Sequence, residues 1–290
     1  MKIRELYKRT VDRLRQINIP DAELEAGFLL RYFLEVDRTG LFLDERQLTD
    51  TELENFEGLV LRRLGREPLS YIIGSQEFWS LPFEVAPDVL IPRPETELLI
   101  ESVLALVANP ADFSGKILDL GTGSGIIATV LALELPGAEV VAVDLSGKAL
   151  AVAARNVKRH GVADRVTLIK GDWFSPLRPV TKFEFIVSNP PYVAAPVREN
   201  LQPELAFEPE TALYAGDDGM DAYRQIVPLS RRYLHSSGHL LLEIGYDQEE
   251  MIRDLITDDP DLELLWIKKD YSGHARVICA RAVDVAGARG

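Results

Sequence analysis

The stretch IVSNPPYV, Ile186 to Val193, runs a short apolar segment into one amide, two prolines and one aromatic ring. The Asn189 side chain carries an acceptor oxygen, and Pro190 and Pro191 remove two backbone donors while keeping their carbonyls. Such a turn presents acceptors and almost no donors, which suits a planar NH2 group held by both hydrogens. An amide or aryl-amine nitrogen is a poor nucleophile because its lone pair is delocalised. Asn189 Oδ1 and the Pro190 carbonyl would favour the geometry in which that lone pair faces an electrophile, and would stabilise the positive charge that develops there. Tyr192 adds a flat surface for the group being held. Asn189 and Pro190 are therefore the candidate catalytic positions, and Asn189, Pro190, Pro191 and Tyr192 the candidate substrate site. The competing reading is a rigid turn that only ends a strand.

The electrophile must come from a second site, and LDLGTGSG supplies one. Gly121, Thr122, Gly123, Ser124 and Gly125 close a short apolar strand and open a helix, where glycine lets the backbone turn tightly and approach a ligand. Asp144 ends the next apolar run 19 residues after Gly125, where a carboxylate can accept both hydroxyl hydrogens of a ribose. Asp119 either orders the loop or approaches the ligand directly. In GDWF, Asp172 is placed to bond an adenine amino group and Trp173 to stack on the ring, or else to pack in the core. Asn189 borders the same crevice.

Two cofactors fit a loop and an acid in this relation, a nicotinamide dinucleotide or S-adenosylmethionine. The third glycine falls one residue earlier than in G-x-G-x-x-G, and the loop has no Lys or Arg to meet a pyrophosphate. Both features favour S-adenosylmethionine. Its sulfonium methyl is an electrophile that a held NH2 can attack without prior deprotonation, leaving S-adenosylhomocysteine.

The elements that position these residues follow from the hydrophobic pattern. From Lys2 to about Gly74 the spacing is helical, with Ile3, Leu6, Tyr7, Val11, Leu14 and Ile17 on a first helix. A second carries Leu24, Phe28, Leu29 and Phe33, and a third, capped by Thr49 or Asp50, carries Leu53, Phe56, Val60 and Leu64. Between Phe78 and Pro94, four prolines and alternating apolar residues indicate an extended hairpin. Thereafter KILDLG, EVVAVDL, RVTLIKGD, FEFIVSN and GHLLLEIG alternate with helical stretches, the pattern of a doubly wound, mostly parallel sheet. LELLWIKKDYSGHARVICARA gives two strands without a helix between them, hence an antiparallel closing hairpin. The expected division is 1–75 helical, 76–94 hairpin and proline-rich linker, and 95–284 α/β; the tail VAGARG is expected to fray.

Bulk composition narrows the partners. With 32 basic against 46 acidic residues the net charge is −14, which repels phosphate backbones. Lys2, Arg4, Lys8, Arg9, Arg13 and Arg15 form a local exception, read first as a solvated helix face. A lone Cys279 suits a reducing compartment, and the scattered His160, His235, His239 and His274 draw no zinc framework, so no metal is expected. No apolar run approaches the roughly 20 residues of a membrane span. The expectation is a cytoplasmic protein with no membrane association and no stable nucleic-acid partner.

With these residues in place, the chain resembles the bacterial protein-(glutamine-N5) methyltransferases of peptide chain release factors. The likeness rests on REPLSYIIGSQEFWSLPFEVAPDVLIPRPETELLIE, ILDLGTGSG, IVSNPPYV, EPETALYAGDDGMDAYRQI and LLLEIG. NPPY alone is shared with adenine-N6 methyltransferases; IPRPETE is not. The resemblance implies a class I S-adenosylmethionine-dependent, Rossmann-like methyltransferase domain behind a small helical domain that grips the substrate. It implies methylation of the glutamine in the Gly-Gly-Gln motif of class 1 release factors, with Gly121 to Gly125, Asp144 and Trp173 toward the cofactor and Asn189 to Tyr192 toward the glutamine. Arg93, Glu95 and Glu97 read as a local ion pair capping the next helix, with Glu95 also available to a site wall. A ribosomal-protein glutamine and a nucleic-acid adenine are the alternative substrates. An inactive ribosome-binding module would need neither Asp144 nor Asn189, and a dehydrogenase would need an acid–base set that the crevice lacks.

Overall fold

The structure, a computed structural model, describes residues 1–43, 46–200 and 202–283. The VAGARG tail and the expected boundary at residue 284 lie outside the described residues. The chain forms two compact units, one of Met1–Ser75 with Gln202–Phe207, the other of the chain from Gln76 onward without that segment.

The first unit is helical: α1 (Ile3–Gln16), α2 (Ala22–Leu34), α3 (Arg38–Leu43), α4 (Asp50–Leu64) and α5 (Leu69–Ile73). Thr49 starts α4 with a reciprocal cap: its Oγ1 accepts from the Glu52 amide at 3.3 Å, and Glu52 Oε2 accepts from the Thr49 amide at 2.8 Å. The buried face of α2 differs from expectation. Leu24 is 60% exposed, while Ala22 and Ala26 are fully buried against Val11, Leu14 and Ile19. Small alanines let the first two helices approach closely, a preference that a search for large apolar residues passes over. Helices α3 and α5 were absent from the periodic pattern because six and five residues are too short to show a period. Within the unit, Arg9 and Arg13 of the basic cluster are met by Glu57 and Arg15 by Glu23. Arg63, 4% exposed, lies between Glu25 at 2.6 Å and Glu204 at 3.0 Å.

A two-residue hairpin, β1 (Ser75–Phe78) and β2 (Leu81–Glu84), marks the passage into the second unit. Trp79 and Ser80 both take φ near +55°, as a turn matched to strand twist requires. The remaining elements are α6 (Glu97–Leu106), β3 (Lys116–Leu120), α7 (Ile126–Glu134), β4 (Glu139–Asp144), α8 (Gly147–Arg159), β5 (Val166–Lys170), β6 (Phe183–Ser188), α9 (Glu210–Leu213), α10 (Asp221–Tyr233), β7 (Leu234–Glu243), α11 (Glu249–Thr257), β8 (Leu262–Lys269) and β9 (Ala275–Ala282). They build a seven-stranded sheet in the order β5-β4-β3-β6-β7-β9-β8, parallel except at β7–β9 and β9–β8.

This is the doubly wound fold expected from the alternation, with one feature the pattern did not indicate: β9 inserts between β7 and β8. Alternate residues feed two cores. Ile117, Phe185 and Val187 pack with α6 and α7, while Leu118, Leu120 and Ile186 pack with Tyr223 and Ile226 of α10. Each such aliphatic side chain contributes about 1.5–3 kcal/mol on burial, so the central strands are held from both faces and their ends form a stable rim. The order reverses at β3, with β4 on one side and β6 on the other, and that reversal opens a crevice at the carboxyl ends.

Candidate active site

Register places the candidate residues in one row. Leu120 is level with Val143 on β4 and with Ser188 on β6, and Ser188 is level with Leu242 on β7. The next residue on each strand therefore lies along the same rim: Asp144, Gly121, Asn189 and Glu243. At the usual strand spacing, Asp144 and Asn189 flank the glycine loop about 10 Å apart. Ser188 Oγ donates to the Leu120 carbonyl at 2.6 Å, tying the two central strands together at the crevice.

The loop's conformation is glycine's. Gly123 has φ +56° and Gly125 +79°, a region that costs other residues about 1–2 kcal/mol. A Cβ on Gly125 would also stand 2.9 Å from Ala153 Cβ, whereas one on Gly123 would meet nothing within 4 Å. Gly125 serves close packing, and Gly123 leaves open space. Asp144 Oδ2 accepts from the Gly123 amide and Oδ1 from the Ser146 amide, both at 2.8 Å. Each oxygen keeps a second acceptor site, the capacity that two vicinal hydroxyls need. Burial raises the Asp144 pKa and the two amides oppose it. Buried Asn156 braces the loop by donating to the Ser124 carbonyl at 2.9 Å while pairing with the Glu84 backbone.

Asp119 lies beneath the loop. It is fully buried and accepts from Thr122 Oγ1 at 2.6 Å, so of its two readings the structure gives loop ordering. Burial pushes its carboxyl up to about 7 against that hydrogen bond. The folded state thus holds this proton more tightly than the unfolded chain, and stability from this group is present at low pH and lost as pH rises from about 4 through 7. Replacing Asp119 by asparagine removes the loss. Compared with wild type, thermal unfolding of the variant should become relatively more favourable to the fold across pH 4 to 7 and then level off; a difference independent of pH would contradict the assignment.

Trp173 has φ +45°, a strained value for so large a residue. Its ring packs on the loop: a Cβ on Gly121 would lie 3.6 Å from Trp173 Cζ3. Asp172 is exposed, and its amide donates to Ser175 Oγ at 3.0 Å.

The NPPY turn is held by residues that the spacing of motifs did not single out. Asn189 Nδ2 donates to Thr96 Oγ1 at 3.0 Å, and Thr96 Oγ1 donates to Glu243 Oε2 at 2.7 Å. Glu243 is fully buried, its Oε1 has no hydrogen-bond partner among the described residues, and burial pushes its carboxyl up to about 7. Buried Gln248 donates to the Tyr192 carbonyl at 3.0 Å and the Gly219 carbonyl at 3.1 Å. Pro190 is buried; Pro191 and Tyr192 are partly exposed, and burial raises the Tyr192 phenol, which keeps its proton at neutral pH.

The local ion pair expected in IPRPETE is absent from that form. Arg93 pairs with Glu208 at 2.5 Å, and Glu208 also accepts from the Ile91 amide at 3.1 Å. Glu97 accepts from the Trp79 amide at 2.7 Å, and Glu95 is exposed. These partners lie 115 and 18 positions away in sequence, on either side of the 3-10 turn Pro94–Thr96. Among the described residues, no group of three His, Cys, Asp or Glu is arranged to hold a metal ion, and no helix is long and apolar enough to cross a membrane.

The family model described as PrmC N-terminal domain matches residues 5–74, and that described as Methyltransferase small domain matches residues 94–216. A release factor glutamine methyltransferase of Geobacter sulfurreducens is 45% identical over 252 residues, 86% of either chain. One of Aliivibrio fischeri is 37% identical over 278 residues, 96% of either chain. A methyltransferase of known structure from Pyrococcus furiosus superposes with a TM-score of 0.52 at 15% identity, over 80% of this chain and 100% of its own, a likeness of fold.

Proposed function

The chain belongs to the release factor glutamine methyltransferases, and from that premise we propose how its own residues carry the reaction. It is a methyltransferase that acts on the side-chain amide nitrogen of a release-factor glutamine. Its methyltransferase domain implies use of S-adenosylmethionine. When bound, S-adenosylmethionine supplies an electrophilic sulfonium methyl.

The rim fits that group. Asp144 has acceptor sites to spare for a ribose, Gly123 leaves open space, Trp173 offers a flat face beside Gly121, and the loop lacks the cations a pyrophosphate would want. We assign the loop Gly121 to Gly125, Asp144, Asp172, Trp173 and Asn189 to the cofactor side. Asn189 Oδ1 and the Pro190 carbonyl accept the two hydrogens of the glutamine NH2, turning its lone pair outward and stabilising the charge that develops on nitrogen. Pro191 and Tyr192 wall the planar amide. No general base is required before attack, because the nitrogen sheds its proton afterwards. The observation that carries this reading is the Asn189 amide itself: its nitrogen end is taken by Thr96 at 3.0 Å, which leaves its oxygen end for a donor.

The substrate is the glutamine of the Gly-Gly-Gln motif of class 1 release factors, and the product of the donor is S-adenosylhomocysteine, with no metal taking part. Residues 1–75 recognise the protein substrate, 76–94 connect, and 95–284 carry out methyl transfer, all in the cytoplasm where release factors act.

The test uses purified protein, radiolabelled donor, and a release factor either unmodified or with its Gly-Gly-Gln glutamine changed to alanine. Label is expected in the first alone. Label in both, or in neither while the donor still binds, would overturn the reading, and label in a ribosomal protein or in adenine-containing nucleic acid would replace it.

A further inference from the structure

We infer that Thr96, braced by Glu243, decides which end of the Asn189 amide faces the substrate. The inference rests on the function proposed above and deepens it. A primary amide has two ends of nearly equal size and opposite hydrogen bonding. With oxygen outward it holds an NH2 group; with nitrogen outward it repels one and welcomes a carboxylate. Nothing in the shape of the NPPY turn separates the two states, so the choice must come from what the inner end of the amide meets.

It meets an oxygen whose single hydrogen is already committed. Thr96 Oγ1 donates to Glu243 Oε2 at 2.7 Å, and while Glu243 is ionised the hydroxyl that remains to Asn189 can only accept. The amide nitrogen satisfies it at 3.0 Å; the amide oxygen would set acceptor against acceptor. Thr96 is 1% exposed and Glu243 fully buried, so solvent does not relieve that mismatch. Glu243 is held in turn by the strand: its carbonyl accepts from Tyr223 Oη at 2.9 Å, and it pairs with Val277 of β9. Thr96 and Glu243 act through Asn189 and are positioning residues. They also give the site its discrimination between glutamine and glutamate, since an amide locked oxygen-outward offers a carboxylate no hydrogen.

The experiment compares wild type, Thr96→Val and Thr96→Ser, with unmodified release factor as substrate and the same factor carrying glutamate in place of the glutamine as inhibitor. Valine matches threonine in shape and lacks the hydroxyl. Its kcat should fall by about 10- to 100-fold, the order expected when a reacting group is misplaced, with donor affinity by calorimetry unchanged within about threefold. The glutamate-bearing factor should inhibit Thr96→Val more strongly than wild type, a reversal that a merely structural loss would not produce. Thr96→Ser should restore both properties. If valine fails to fold, as lost donor binding would reveal, Thr96→Ala is read in the same way.

Normal kcat in Thr96→Val, unchanged inhibition by the glutamate-bearing factor, or a serine variant as impaired as valine would overturn the assignment. Failure of wild type to label the unmodified factor would instead overturn the function beneath it, and this assignment with it.

Discussion

Asn189→Ala should bind S-adenosylmethionine within a few fold of wild type and transfer methyl groups at least about a hundredfold more slowly. The magnitude follows from losing one preorganised polar group aimed at developing charge, an effect of about 2.7–4 kcal/mol in comparable sites. Binding is largely spared because the rest of the cofactor side is built on other strands: the glycine loop hangs from β3 and is tied to Asp144 of β4 by the Gly123 amide at 2.8 Å. Calorimetry with the donor and single-turnover labelling of a release factor separate the two quantities. An alanine variant with normal turnover would remove Asn189 from the chemistry. One with lost donor binding would mean that the turn also holds the loop together.

Asp144→Ala should show the opposite split, weakening donor binding by roughly 100-fold while the rate at donor saturation changes less. Hydrogen bonds to an ionised group contribute about 1.5–3 kcal/mol, and a loss of about 2.8 kcal/mol corresponds to about 100-fold in Kd. The same change frees the Gly123 and Ser146 amides, both 2.8 Å from the carboxylate, so the loop loses its brace as well. Unchanged affinity would take Asp144 out of the cofactor site.

The doubly wound sheet was legible because strands buried on both faces are short continuous apolar runs, and because glycine, proline and terminal acids punctuate them in order. What locality cannot carry was not legible. Thr96 and Glu243 meet across 147 positions, Arg93 and Glu208 across 115. Within IPRPETE the charged residues draw attention, yet the uncharged Thr96 between them is the one that touches Asn189. Gln248 likewise follows no apolar period, and its partners are backbone groups, the Tyr192 and Gly219 carbonyls and the Gly245 amide, which leave no trace in side-chain pattern. On α2 the failure was one of size: Ala22 and Ala26 make the contact while Leu24 and Phe28 face outward. The position of β9 inside the sheet could not be read because an antiparallel hairpin fits either way round on an edge.

That insertion has a consequence for how the molecule is made. Glu243 ends a strand whose outer neighbour is β9, level with Val277, and β8, although synthesised earlier, reaches the sheet only through β9. On a growing chain, β7 therefore waits with an unpaired edge until residues beyond Ala275 have emerged. The carboxylate that braces the substrate turn is flanked by a strand made later in chain order than every residue of the NPPY turn and the glycine loop, so its outer side can be covered only near the end of synthesis.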